Sequence, residues 1–128
     1  MIRLAVLAAV AALLPACDAQ EGPRGVRGPK ILPRDPNAPY VITAIDYHFH
    51  DAHPTPRLSP EREVIVSNQG RNLHNVTFEE LGFSRDLEPG DRISLGKIGE
   101  LLERPGDHPL VCVYHVDREM TGLIRVAG

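Results

Sequence analysis

Cys112-Val113-Tyr114-His115-Val116-Asp117-Arg118-Glu119-Met120 places a thiol, an imidazole and a thioether at positions i, i+3 and i+8 of one short stretch. These are the soft and borderline donors that copper prefers. Cys112 closes an apolar run, a polar loop follows, and Met120 opens the next apolar run, so one loop could wrap an ion from three sides. A fourth donor has to come from elsewhere, and His74 in Asn72-Leu73-His74-Asn75 is the candidate. Each residue alone has a plainer reading. A single His is usually a surface or satisfied core residue, a Met after a loop packs, and a lone Cys is buried and inert. Only the joint spacing argues for a metal.

The chain around this stretch breaks into short apolar runs separated by turn residues, with weak helical periodicity. Strands are expected at Tyr40 to Asp46, Glu63 to Ser67, Asn75 to Glu79, Arg92 to Leu95, Pro109 to Tyr114 and Gly122 to Val126. Turns are signalled at Asn68-Gln69-Gly70, Glu88-Pro89-Gly90-Asp91 and Arg104-Pro105-Gly106-Asp107. Glu100 to Glu103 reads as a strand or as one helical turn. With Trp absent and only three Tyr and three Phe in 128 residues, Val, Ile and Leu must build the core. Those residues lean toward strands. An all-β, antiparallel Greek-key β-sandwich is the expected architecture.

Toward the N-terminus the composition changes twice. Arg3 followed by eleven apolar residues, Leu4 to Leu14, reads as an export signal ending near Cys17, and it is too short to span a bilayer. Leu14-Pro15-Ala16-Cys17 resembles a bacterial lipoprotein signal, in which the Cys is lipid-modified, although Pro15 fits that pattern poorly. Asp18 to Pro39 holds five prolines and three glycines and reads as an extended tether. The expected organisation is thus a signal over 1–17, a linker over 18–39 and one domain over 40–128. If Cys17 belongs to the signal, Cys112 is left alone in an oxidising compartment, which calls for a reason such as a metal. A Cys17–Cys112 disulfide or an inert thiol is the alternative.

Formal charge is −3, and the domain from Tyr40 carries nine basic against fourteen acidic residues, a net of −5. No broad basic field is available to hold a phosphate backbone, so nucleic acid is not an expected partner.

The combined pattern resembles the plastocyanin and pseudoazurin branch of the cupredoxin (type 1 blue copper) family. Its carriers are Asn68-x-Gly70 ahead of His74-Asn75, Pro105-Gly106 before Cys112, the Cys-x2-His-x4-Met spacing, and Met120-x-Gly122 leading into the last strand. The resemblance implies one type 1 copper ion, with His74, Cys112 and His115 as in-plane ligands and Met120 as the long axial one. It also implies that Asn75 ties the two ligand loops together and that His115 reaches the surface as the electron port. Asp117-Arg118-Glu119 departs from the less charged loops of relatives and implies a smaller apolar face around the port. His108, where relatives often have an aromatic, and Pro109 inside an expected strand suggest local irregularity, an edge or a bulge.

One further run, Asp46-Tyr47-His48-Phe49-His50-Asp51-Ala52-His53, puts His48 and His50 on one strand face. A solvated strand end is the favoured reading and a second metal site the competing one. The resulting expectation is an exported, extracytoplasmic electron carrier, not an enzyme. It would be monomeric, exchange electrons with redox proteins such as a cytochrome, and meet a membrane surface through any lipid at Cys17. An extracytoplasmic copper carrier or store is the first alternative. A copper oxidase or nitrite reductase is the second, and it needs a second copper or an open position.

Overall fold

The computed structural model describes residues 35–128. The signal segment, Cys17 and the tether up to residue 34 lie outside the described residues. Asp35 to Pro39, expected as the end of the tether, lie against the domain: the Arg62 guanidinium donates to the carbonyls of Pro36 and Asp35.

Nine strands form two sheets. They are β1 (Tyr40–Ile45), β2 (His48–His50), β3 (Arg57–Leu58), β4 (Glu63–Asn68), β5 (His74–Phe78), β6 (Phe83–Leu87), β7 (Arg92–Lys97), β8 (Gly106–Val111) and β9 (Thr121–Val126). One sheet runs β2-β1-β4-β7 and the other β3-β9-β8-β5-β6. Strict alternation in β1 and β9 turns Ile42, Ala44, Gly122, Ile124 and Val126 inward, and residues on the other face stay partly or fully exposed. The core between the sheets is aliphatic as expected, with Phe49 and Phe78 the largest buried side chains. At about 25 cal/mol per Å² of apolar surface removed from water, this inward face is what drives the sheets together.

The all-β sandwich is therefore present, but it is not purely antiparallel. β1 pairs parallel with β4, from Tyr40↔Val64 to Ala44↔Asn68, and β3 pairs parallel with β9. After the β1–β2 hairpin the chain crosses to β3 in the other sheet and returns to lie beside β1 in the same direction. The six expected strands exist with ends shifted by up to three residues. Three short ones, β2, β3 and β6, carry too little apolar periodicity to be seen: β6 exposes Ser84, Arg85 and Asp86 in succession. Ile98–Leu101 forms one helical turn, resolving the choice near Glu100. Pro109 is not on a sheet edge, since β8 lies between β9 and β5, yet β8 meets β5 only at Val111↔Thr77. At Pro109 there is accordingly no ladder partner on the β5 side to forfeit. His108 is buried and its Nε2 lies 2.8 Å from the Arg104 carbonyl, a satisfied structural position.

Candidate metal centre

The expected strand Pro109 to Tyr114 ends early, and the reason creates the site. After Val111 the backbone leaves the sheet at Cys112 and coils as 3-10 turns over Val113–Arg118. Cys112 itself is extended, and a bond from His115 N to the Cys112 carbonyl at 3.1 Å closes a tight turn between them. Cys112 and His115 are three apart, and Cys112 Sγ lies 3.3 Å from His115 Nδ1. The loop is closed at its base by backbone bonds from Cys112 N to the Met120 carbonyl at 2.9 Å and from Met120 N to the His115 carbonyl at 3.3 Å. Glu119 takes a left-handed conformation, φ 55°, to turn the chain back. Met120 arrives buried immediately before β9. Behind it Gly122 is required, because a Cβ there would stand 2.9 Å from Leu110 Cδ2.

His74 comes from the opposite direction as the first residue of β5. The turn before it is held by Asn68, which is buried: its Nδ2 donates to the carbonyls of Asn72 (2.8 Å) and Leu87 (2.9 Å), and its Oδ1 accepts from Gly70 N (2.9 Å). Gly70 packs against this arrangement: a Cβ there would be in ordinary contact with His74 Nε2, at 3.4 Å.

Among the described residues, His74, Cys112 and His115 form the one trio whose ligand atoms all lie within 4.8 Å of one another. His74 is fully buried and neither ring nitrogen has a hydrogen-bond partner. Leaving a buried polar atom unpaired costs about 1–3 kcal/mol, so these nitrogens call for an unseen partner. Burial first, and the neighbouring His115 second, push the His74 pKa below the usual histidine value, against a smaller opposing pull from Asp46. The ring is thereby kept neutral with a free lone pair. Cys112 is buried and unpaired. A buried thiol and two imidazoles, one of them orphaned, fit a copper ion as a donor set. Met120 is placed at the foot of the same loop.

Amicyanins, at 17% identity, are similar to this chain in fold. A reduced amicyanin mutant matches with TM-score 0.56 over 70% of this chain and 83% of its own, and an oxidised one with TM-score 0.53 over 69% and 81%. The fold is that of a cupredoxin. At such identity the likeness establishes the fold alone. A copper-containing nitrite reductase from Thermus scotoductus SA-01 also matches, at 17% identity and TM-score 0.55, with 71% of this chain covering 23% of that larger one. No family model and no curated protein matches the sequence.

Two details of this cupredoxin fold differ from expectation. Asn75 does not reach the Cys112 loop directly. Its Nδ2 donates to Ser84 Oγ at 3.0 Å and Asp86 Oδ1 at 2.8 Å, and Thr77 Oγ1 donates to its Oδ1. Asp86 in turn accepts from the Tyr114 hydroxyl at 2.8 Å, and Tyr114 lies between Cys112 and His115. The tie between the two ligand segments thus runs Asn75–Asp86–Tyr114. Its middle member, Asp86, is invisible in sequence because β6 does not announce itself. The second detail is the surface around His115. Val113, Tyr114 and Val116 are all exposed beside His115, with Leu81 also exposed, so the charged run does not strip the loop of apolar surface. His115 is half-buried, with the Tyr47 ring edge-on at 4.9 Å and the Arg118 guanidinium 4.9 Å above Tyr47.

Proposed function

We propose that the protein is an exported one-electron carrier with a single copper held by His74, Cys112, His115 and Met120. The observation that carries this reading is the fully buried His74 with both nitrogens unpartnered, facing a buried free thiol and a second imidazole. Copper in a His2Cys site with a weak axial thioether supplies one-electron exchange with little rearrangement. The chain's part is to fix the donors before the ion arrives. β5 and the Asn68-held turn set His74, and the doubly closed 3-10 loop sets Cys112 against His115. Burial of Cys112 and Met120 keeps water away, while His115 alone approaches the surface and offers the route out. The apolar residues Val113, Tyr114 and Val116 supply a docking rim, and the acidic balance of the domain favours a basic redox partner such as a cytochrome. The signal reading of residues 1–17 supports an extracytoplasmic location, with lipidation at Cys17 as the membrane contact. Among the described residues no helix is long and apolar enough to cross a membrane.

A carrier or store would bind the same ion through exchangeable donors. The enclosed donor set favours electron transfer over that reading. An enzymatic role would need a second copper or an open metal position, and the four donors proposed here reserve no open position at this centre. Voltammetry of the copper-loaded chain separates the readings. A reversible one-electron wave, with copper retained against a chelator in both oxidation states, supports the electron carrier. Loss of copper on each reduction would favour a carrier of the metal itself.

A further inference from the structure

The edge strand β2 carries a second group of donors. His48 and His50 flank the fully buried Phe49 and stand on the outward face of the sheet edge. His53 is brought beside them by a loop whose backbone is fixed at several points. The Tyr40 hydroxyl donates to the Asp51 carbonyl at 2.6 Å, Leu123 N donates to the Ala52 carbonyl at 2.8 Å, and Thr55 N donates to the Leu123 carbonyl at 2.9 Å. The ring centroids of His48 and His50 are 5.4 Å apart, and those of His48 and His53 are 4.7 Å apart and stacked. Imidazoles bound to one ion at about 2.1 Å per bond have centroids on the order of 5 Å apart. Strand alternation alone puts His48 and His50 on one face, but it does not bring in His53, which the fixed loop adds.

We infer that His48, His50 and His53 form a second, solvent-open site for a borderline divalent cation, Zn(II), separate from the buried trio that holds the single copper. Imidazole is a donor this ion favours, and three imidazoles with water completing the shell make an exchangeable site. The ligand atoms here are less tightly gathered than those of His74, Cys112 and His115, as fits an open site whose exposed side chains adjust on binding. Partial burial, then the His48 and His50 rings, lower the His53 pKa, which leaves that ring neutral and available. The site adjoins Tyr47, whose ring touches His115.

The test is zinc binding to the full copper-loaded chain, measured by equilibrium dialysis and metal analysis. One zinc per chain is expected in addition to copper. The triple change His48→Ala, His50→Ala and His53→Ala should abolish it with the copper spectrum and melting temperature unchanged. Each single change should weaken zinc at least tenfold. The Cys112→Ser chain, which lacks the buried thiol, should still take the zinc, so failure of the copper centre is distinguishable from failure of this site. No stoichiometric zinc in the parent, or zinc retained at equal affinity by the triple variant, overturns the inference. Single variants that bind as the parent does would also overturn it, by showing adventitious surface binding.

Discussion

The two halves of the copper centre are built differently. The His74 half is deep: an interior strand starts under it, a buried Asn68 holds the preceding turn through three hydrogen bonds, and no part of the ring is exposed. The His115 half is shallow: a 3-10 loop fastened by backbone bonds at its base, with exposed Val113, Tyr114 and Val116 around a half-buried ring. The deep half is suited to holding the ion and excluding water, the shallow half to exchanging electrons with a docked partner. Disturbing the deep half should therefore cost stability or metal, whereas disturbing the outer face of the shallow half should cost only rate and tuning.

The largest effect is expected where the halves meet. Cys112→Ser should abolish the intense visible band and electron exchange, because a hydroxyl is a hard and mostly protonated donor at neutral pH. A Cys112→Ser protein that stays blue would remove Cys112 from the site. In the deep half, Asn68→Ala leaves the carbonyls of Asn72 and Leu87 short of a donor. A loss of about 1–3 kcal/mol in the metal-free chain is expected by chemical denaturation, and an unchanged midpoint would show that the turn holds itself. Met120→Leu should keep copper and raise the reduction potential, since it withdraws a weak donor that favours Cu(II). Voltammetry reads this directly, and complete loss of copper would contradict an axial role.

Smaller effects belong to the shallow half. The Asp86 hydrogen bond, together with lesser burial and charge effects, raises the Tyr114 pKa above the ordinary tyrosine value. Bonds from Asn75, then Tyr114, lower that of Asp86. The Tyr114 contribution to stability is present below the unfolded tyrosine value and is lost as pH rises through the folded one. The Asp86 contribution is present above the unfolded aspartate value and is lost as pH falls through the folded one. Ultraviolet titration should show the Tyr114 transition moving down in Asp86→Asn, and an unmoved transition would break the Asn75–Asp86–Tyr114 tie. Smallest of all, Asp117→Asn with Glu119→Gln should weaken the salt dependence of electron delivery to a basic cytochrome, leaving the spectrum intact. Steering of this kind is screened over about 8 Å at physiological salt. Stopped-flow rates that are flat with ionic strength in the parent would assign docking to the apolar rim alone.

The same division governs what could be read from the chain. Much of the deep half was legible: the apolar runs of β1 and β9 were expected, the strand expected from Asn75 starts one residue earlier at His74, and the Cys-x2-His spacing marked donors. The antiparallel expectation holds for most pairs but not for β1 with β4 or β3 with β9, because the β1–β4 pairing depends on where the chain returns after crossing sheets, which no local pattern encodes. β6 was missed because its Ser84-Arg85-Asp86 face meets solvent, and with it went Asp86, the residue that links the ligand segments. The strand expected over Pro109 to Tyr114 lies three residues too late, because Val113 and Tyr114 are apolar yet exposed, serving a surface instead of the core. His53 could not be placed beside His48 and His50 without the hydrogen bonds that β9 makes to its loop.

The central claim is that one buried thiolate and two imidazoles share a copper ion. The visible absorption spectrum of the oxidised, copper-loaded chain tests it most directly. An intense blue thiolate-to-copper band at one copper per chain is the predicted result. Copper bound at that stoichiometry with only weak absorption would show that Cys112 is not a ligand and would contradict the account.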